Sequence, residues 1–130
     1  MLVQLDLARI IITETGDSQV IILRERGGER HFPILIGINE ALAIERRLKG
    51  IASPRPLTHD LMANIIEQLD AELEKIIISD LQEHTFYAKL IMRRNGDLLE
   101  IDSRPSDAIA LGVQKLTPIF VDEEVLRKVS

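Results

Sequence analysis

Apolar and polar residues alternate from the start of the chain. Val3, Leu5 and Leu7 alternate with Gln4 and Asp6, the period of a strand with one buried face. At Ala8-Arg9 the phase changes, and Ile10, Ile11 and Ile12 run together. That change predicts a bulge, or burial on both faces, within a strand over 2–14. Thr15-Gly16-Asp17 supplies a turn, and 18–25 a second strand through Val20 to Leu23. Gly27-Gly28 supplies another turn, and 29–36 a third strand ending in Pro33-Ile34-Leu35-Ile36. The short connections predict an antiparallel meander.

After Ile36 the period becomes helical. Asn39 is the expected N-cap, with Ala41, Ile44 and Leu48 on one face and Gly50 as the stop. Residues 51–56, with two prolines, read as a loop. Thr58 is the expected cap of a second helix whose stripe is Leu61, Ile65 and Leu69, widened by Met62 and Ile66. Strands resume over 75–81 and 84–94. In the latter, Phe86, Ala88, Leu90 and Met92 share one face, and Tyr87, Lys89, Ile91 and Arg93 share the other. Asn95-Gly96 is the strongest hairpin signal in the chain, and it returns into a strand over 98–102. Ser106 is the expected cap of a third helix over 107–115. Its residues 108–113 are apolar all round, which predicts the most buried helix. Pro118 to Val121 reads as a short strand, and Asp122 as the cap of a last short helix opened by Glu123 and Glu124. The expected fold is α+β: a mainly antiparallel sheet of six to eight strands, three main helices and a short C-terminal helix, in one domain over 1–130.

Composition sharpens this picture. Hydrophobic residues make up 45% of the chain and aromatic residues only 3%, so Ile, Leu and Val must build the core. There is no cysteine, which excludes disulfides, thiolate metal sites and a cysteine nucleophile. Asp6 and Arg9 interrupt the first apolar stretch, so it is neither a signal peptide nor a membrane span. A cytoplasmic protein without a membrane partner is expected. The net charge of −5 argues against a stable nucleic-acid binder held by charge, but not against a nuclease that touches its substrate briefly. Mean hydropathy of +0.07 is high for a small domain, and buried contact in a homodimer is the expected outlet.

One pattern occurs twice. Arg55-Pro56-Leu57-Thr58-His59-Asp60 opens the second helix, and Arg104-Pro105-Ser106-Asp107 opens the third. Proline fixes φ at a helix start, a hydroxyl serves as cap, and aspartate meets the positive end of the helix dipole. None of this explains the arginines. Two readings stand. In one, Arg55 and Arg104 pair with acids across the core, each with the other motif's aspartate. In the other, the two helix starts line a phosphate or metal site, with Arg55, Arg104, Thr58 and Ser106 on substrate. His59, beside Asp60, is the candidate general base or metal ligand. Asp102, Asp107 and Glu40 are candidate ligands for Mg²⁺ or Mn²⁺. Glu40 reads equally well as a helix-start acid. No organic cofactor is expected.

Several strings resemble the bifunctional nuclease family. They are Pro33-Ile34-Leu35-Ile36-Gly37 with Glu40-Ala41, Arg55-Pro56 with Thr58-His59-Asp60-Leu61, and Phe86-Tyr87-Ala88. The others are Asp102-Ser103-Arg104-Pro105-Ser106-Asp107-Ala108-Ile109-Ala110-Leu111, the most specific, and Pro118-Ile119-Phe120-Val121. The resemblance runs from Leu2 to about Leu126. It implies an α+β domain, a dimer, and activity on both DNA and RNA, but supplies no agreed catalytic set. Bacterial relatives often continue into a helical motif like that of excision-repair subunits; no such segment is expected here. Joined to the candidate residues, the resemblance yields a metal-assisted nuclease in which His59, Asp60 and Asp107 carry the chemistry. The rival is a non-catalytic dimeric regulatory or binding module whose Arg-Pro motifs are structural.

Overall fold

The computed structural model describes residues 1–130 apart from Glu14 and Asp17; the expected turn at Thr15-Gly16-Asp17 therefore lies partly outside the described residues. The first three strands are β1 (Leu2–Ile11), β2 (Gln19–Glu25) and β3 (His31–Ile36), paired antiparallel as a meander. β1 slips register between Leu7 and Arg9, the bulge that the change of phase at Ala8 predicts. Helices α1 (Ile38–Leu48) and α2 (Thr58–Gln68) follow. Then come β4 (Ala71–Gln82), β5 (Thr85–Arg94) and β6 (Asp97–Ser103), a second antiparallel meander. Asn95 and Gly96 both take positive φ, 51° and 85°, as a type I′ hairpin turn requires. Helix α3 (Pro105–Gly112), a short 3₁₀ turn, strand β7 (Ile119–Asp122) and helix α4 (Glu123–Val129) complete the chain.

The two meanders form one seven-stranded sheet only because β7 lies between them, in the order β3-β2-β1-β7-β4-β5-β6. β7 runs antiparallel to β1 and parallel to β4, the one parallel pair among the described residues. Side chains therefore line up in rows across the seam. Leu5, Ile119, Ile76 and Leu90 make one buried row, which ends on exposed Ile101 at the β6 edge. Phe32 of β3 stacks on Phe86 of β5 at 5.5 Å between ring centroids, so the sheet curls until its two halves meet. At one end, Asp122 Oδ1 accepts from the Glu124 N–H and caps α4. Arg30 donates to both Glu25 and Glu123, tying α4 to the first meander.

α3 is buried along almost its whole length, from Pro105 to Gly112, as its lack of a polar face predicts. Only Asp107 reaches outward.

Three helix expectations are corrected. The caps are Gly37, Leu57 and Arg104, not Asn39, Thr58 and Ser106. Pro105 lacks an N–H and suits the first helical position, which moves the start of α3 earlier. At α2 the cap bond comes from Asp60, whose Oδ2 accepts from the Leu57 N–H. The inward face of α1 is Ala41, Ala43, Ile44 and Arg47, and Leu48 is exposed. On α2 the expected stripe faces out: Leu61, Ile65 and Leu69 are each about half exposed. Met62, Ala63 and Ile66 pack inward instead. Gly50, at φ +69°, does end α1; Gly50 N donates to Arg47 O and Ile51 N to Arg46 O, the double closure that a left-handed glycine permits.

Candidate functional site

The two Arg-Pro segments meet. His59, in the first turn of α2, and Asp107, in the first turn of α3, lie 48 residues apart in sequence. His59 Nε2 is 3.0 Å from Asp107 Oδ1. A carboxylate only accepts, so Nε2 carries the proton and donates it to Asp107. In the neutral ring that leaves Nδ1 with its lone pair. The His59 side chain is buried apart from about a tenth of its surface, and Asp107 is roughly a quarter exposed. The pair therefore lies at the floor of a cleft rather than on open surface.

Asp107 also holds Arg104, whose Nε and Nη2 lie 2.9 and 2.8 Å from Oδ2. Arg104 Nη2 also donates to Glu40 Oε1, at 3.0 Å. Asp107 first, then Glu40, raises the Arg104 pKa further above its ordinary value. Glu40 reaches this position because Gly37 has no side chain: a Cβ there would lie 2.5 Å from Glu40 Oε2. The cleft itself has a volume of about 400 Å³; Asn39, Arg46, Thr58, His59, Arg104 and Asp107 are among its lining residues.

Asp60 belongs to a second network behind the first. Its Oδ1 accepts from Arg47 Nη1. Arg47 is 5% exposed, and its other nitrogens donate to the carbonyls of Ala110 at 2.7 Å and Leu111 at 3.1 Å, at the end of α3. Burial alone would push the Asp60 carboxyl up. The Leu57 N–H and the Arg47 guanidinium outweigh it and hold the pKa below the ordinary carboxylate value.

Of the expected site residues, His59, Asp107, Arg104, Glu40 and Thr58 come together around the cleft. Asp60 turns away to Arg47. Ser106 is buried and lines a neighbouring groove between β3 and β5. Arg55 is exposed and forms no ion pair among the described residues, so the idea that each arginine pairs with the other motif's aspartate is corrected: Arg104 takes the aspartate of its own motif. Asp102 pairs in register with Lys89, on the sheet face opposite Ala88 and Leu90, away from the cleft. The expected Mg²⁺ or Mn²⁺ ligands thus do not form one set. Asp102 lies elsewhere, and the Arg104 guanidinium already bridges Glu40 and Asp107. Among the described residues no three His, Asp or Glu side chains converge as metal ligands. Sequence reasoning missed Arg46 and Arg47. The available signal was Arg47 falling in the buried phase of α1, three residues after Ile44 and four after Ala43.

A curled α+β sheet with a His–Asp pair joining two helix starts is the setting in which the comparisons fall. Residues 21–130 match the bifunctional nuclease domain, and the chain belongs to that family. An uncharacterised protein of Mycobacterium tuberculosis is 44% identical over 117 residues, covering 90% of this chain and 70% of that protein. Bifunctional nuclease 2 of Oryza sativa subsp. japonica is 27% identical over 114 residues, covering 85% of this chain but 35% of the rice protein. Bifunctional nuclease 2 of Arabidopsis thaliana is 21% identical over 109 residues. No helix among the described residues is long and apolar enough to cross a membrane.

Proposed function

We propose that this domain is a nuclease that hydrolyses phosphodiester bonds of DNA and RNA in the cleft between α1 and the starts of α2 and α3. The observation that carries the proposal is the 3.0 Å His59–Asp107 pair. Asp107 fixes the tautomer that leaves His59 Nδ1 as a base, the arrangement general-base catalysis needs. Action on DNA excludes a sugar 2′-hydroxyl as nucleophile, so the nucleophile is water. Nδ1 takes its proton as the water oxygen attacks phosphorus, the bond from phosphorus to the sugar oxygen on the far side breaks, and that oxygen leaves with a proton taken from solvent. The family and the rice and Arabidopsis relatives support the reaction class. Among the described residues, those of the cleft do not fit a three-ligand metal site.

The test measures cleavage of single-stranded DNA and RNA, with Mg²⁺, Mn²⁺ or chelator, alongside thermal melting. His59→Ala and Asp107→Asn are each expected to abolish cleavage while still melting cooperatively as folded proteins. Full activity in His59→Ala sinks the proposal.

A second reading, a non-catalytic binding module, is favoured by one feature: both arginine networks are closed by carboxylates within the chain. In that case Asp107→Asn lowers stability and no cleavage accompanies the wild type. Under either reading we infer a homodimer. Leu57, Leu61, Ile65 and Leu69 recur at four-residue spacing and are all substantially exposed, an apolar stripe suited to a second copy. Light scattering that finds only a 14.7 kDa species at micromolar concentration overturns the dimer.

A further inference from the structure

We infer that Arg46 is the residue that binds the substrate's phosphate in this cleft, an inference that rests on the nuclease reading. Three arginines stand at or behind the cleft, and they differ in what remains of their charge. Arg47 is buried and spends its guanidinium on Asp60 and two carbonyls. Arg104 is exposed but shared between Glu40 and Asp107, so it and its partners together carry a net negative charge. Arg46 lines the cleft, on the turn of α1 that faces His59 and Thr58 across it. It makes no ion pair among the described residues, and its buried Nε donates to no protein acceptor.

A buried donor on a cation without an acceptor is costly, and native proteins seldom keep one without use. The Nε itself is closed off, so an anionic oxygen entering the cleft meets the terminal nitrogens of the guanidinium. Those two nitrogens offer parallel donors that match two non-bridging phosphate oxygens. Arg104 cannot do the same without releasing a carboxylate, and Arg55 lies outside the cleft. A positive charge that the Asp60 carboxylate feels but does not bond is therefore on α1, beside the His–Asp pair rather than within either Arg-Pro motif. This also accommodates an acidic protein acting on a polyanion, since one open guanidinium in a cleft suffices for a brief encounter.

The test separates binding from cleavage. In a His59→Ala background, a fluorescent single-stranded DNA oligonucleotide is titrated with the protein, with and without Arg46→Met. Methionine keeps the apolar stem and removes the charge. Arg46→Met is expected to raise Kd by about 10-fold or more. It should also lower the slope of log K against log salt by about 0.7, the share of one phosphate contact on a single strand. Arg46→Lys should fall between, since it keeps charge but loses the fork. An oligonucleotide with neutral methylphosphonate linkages should bind weakly and ignore residue 46. Melting of Arg46→Met close to its parent keeps the comparison clean. If Arg46→Met melts far below its parent, Arg46→Lys at the same salt decides. A Kd and salt slope unchanged by the substitution overturn the role of Arg46, as does an absence of oligonucleotide binding by the His59→Ala protein. Cleavage retained by His59→Ala sinks the nuclease reading instead, so the two failures are distinguishable.

Discussion

The two Arg-Pro segments look like copies in the sequence and are not copies in the fold. Counted from their arginines, Thr58 and Asp107 correspond. Counted from the helix caps, Leu57 corresponds to Arg104, His59 to Ser106, and Asp60 to Asp107, both aspartates being at the third helical position. The strings are offset by two residues. In the first, Arg55 and Pro56 lie ahead of the helix, and the exposed arginine has no ion pair among the described residues. In the second, Arg104 is the cap and Pro105 the first helical residue, so the guanidinium lies over its own helix start. Helical phase, not the shared letters, decides what each residue touches. The offset is also what makes a site: it sets a histidine in α2 where α3 has a buried serine, and aims it at Asp107.

Four substitutions can break or sharpen that comparison. The largest effect is expected from a residue in neither segment. Arg47→Met should destabilise the fold by about 3 kcal/mol, since it unpairs Asp60 and strips two buried carbonyls of their donor. Denaturant titration reads this directly, and a loss below about 1 kcal/mol would mean that Asp60 and α3 do not depend on it.

Next comes Asp60→Asn, expected to cost about 2 kcal/mol at neutral pH, because an amide oxygen still accepts but without charge. The folded-state pKa of Asp60 is depressed. Its contribution is therefore complete above the unfolded value of about 3.9, and is lost as pH falls through the folded value. Wild type and variant should converge in stability as pH drops below about 4. Persistence of the full gap in strong acid would show that the charge is not its source.

The smallest effects belong to the arginines themselves. Arg104→Met should cost no more than about 1 kcal/mol, because its side chain is 64% exposed and surface pairs contribute little. Arg55→Met should fall within about 0.5 kcal/mol of wild type. Equal, large losses at both positions would restore the symmetry that the sequence suggests.

Much of the architecture was legible before any coordinates. Strand alternation, the bulge at Ala8, the Asn95-Gly96 turn and the apolar α3 are all set by near neighbours, and periodicity reports near neighbours well. What escaped depends on partners distant in the chain. Arg47 reads as a surface cation until α3 brings two bare carbonyls to it. Leu61, Ile65 and Leu69 have the spacing of a buried stripe, yet α2 rolls so that Met62 and Ile66 face the core. Asp102 and Asp107 are five residues apart and end on opposite sides of a strand. The turn at Glu83-His84, where both residues take positive φ, contains no glycine to announce it. For the site, His59 and Asp107 were legible as residue types at helix starts. Their contact was not, and neither was the open guanidinium of Arg46.

The order of events during synthesis follows from β7. Each meander can pair within itself as soon as it leaves the ribosome, but the strand that joins them is made last. Until residues 119–122 emerge, β1 and β4 each present an unpaired edge to solvent, and the contacts that close the sheet span most of the sequence. Such long-range closure slows folding and leaves open edges available to other chains. A chain halted after Pro118 should therefore keep the β1 and β4 edges open and be digested more readily by protease than the whole chain. Restoring only β7 and α4, as a separate peptide, should recover protection of both halves together rather than one at a time.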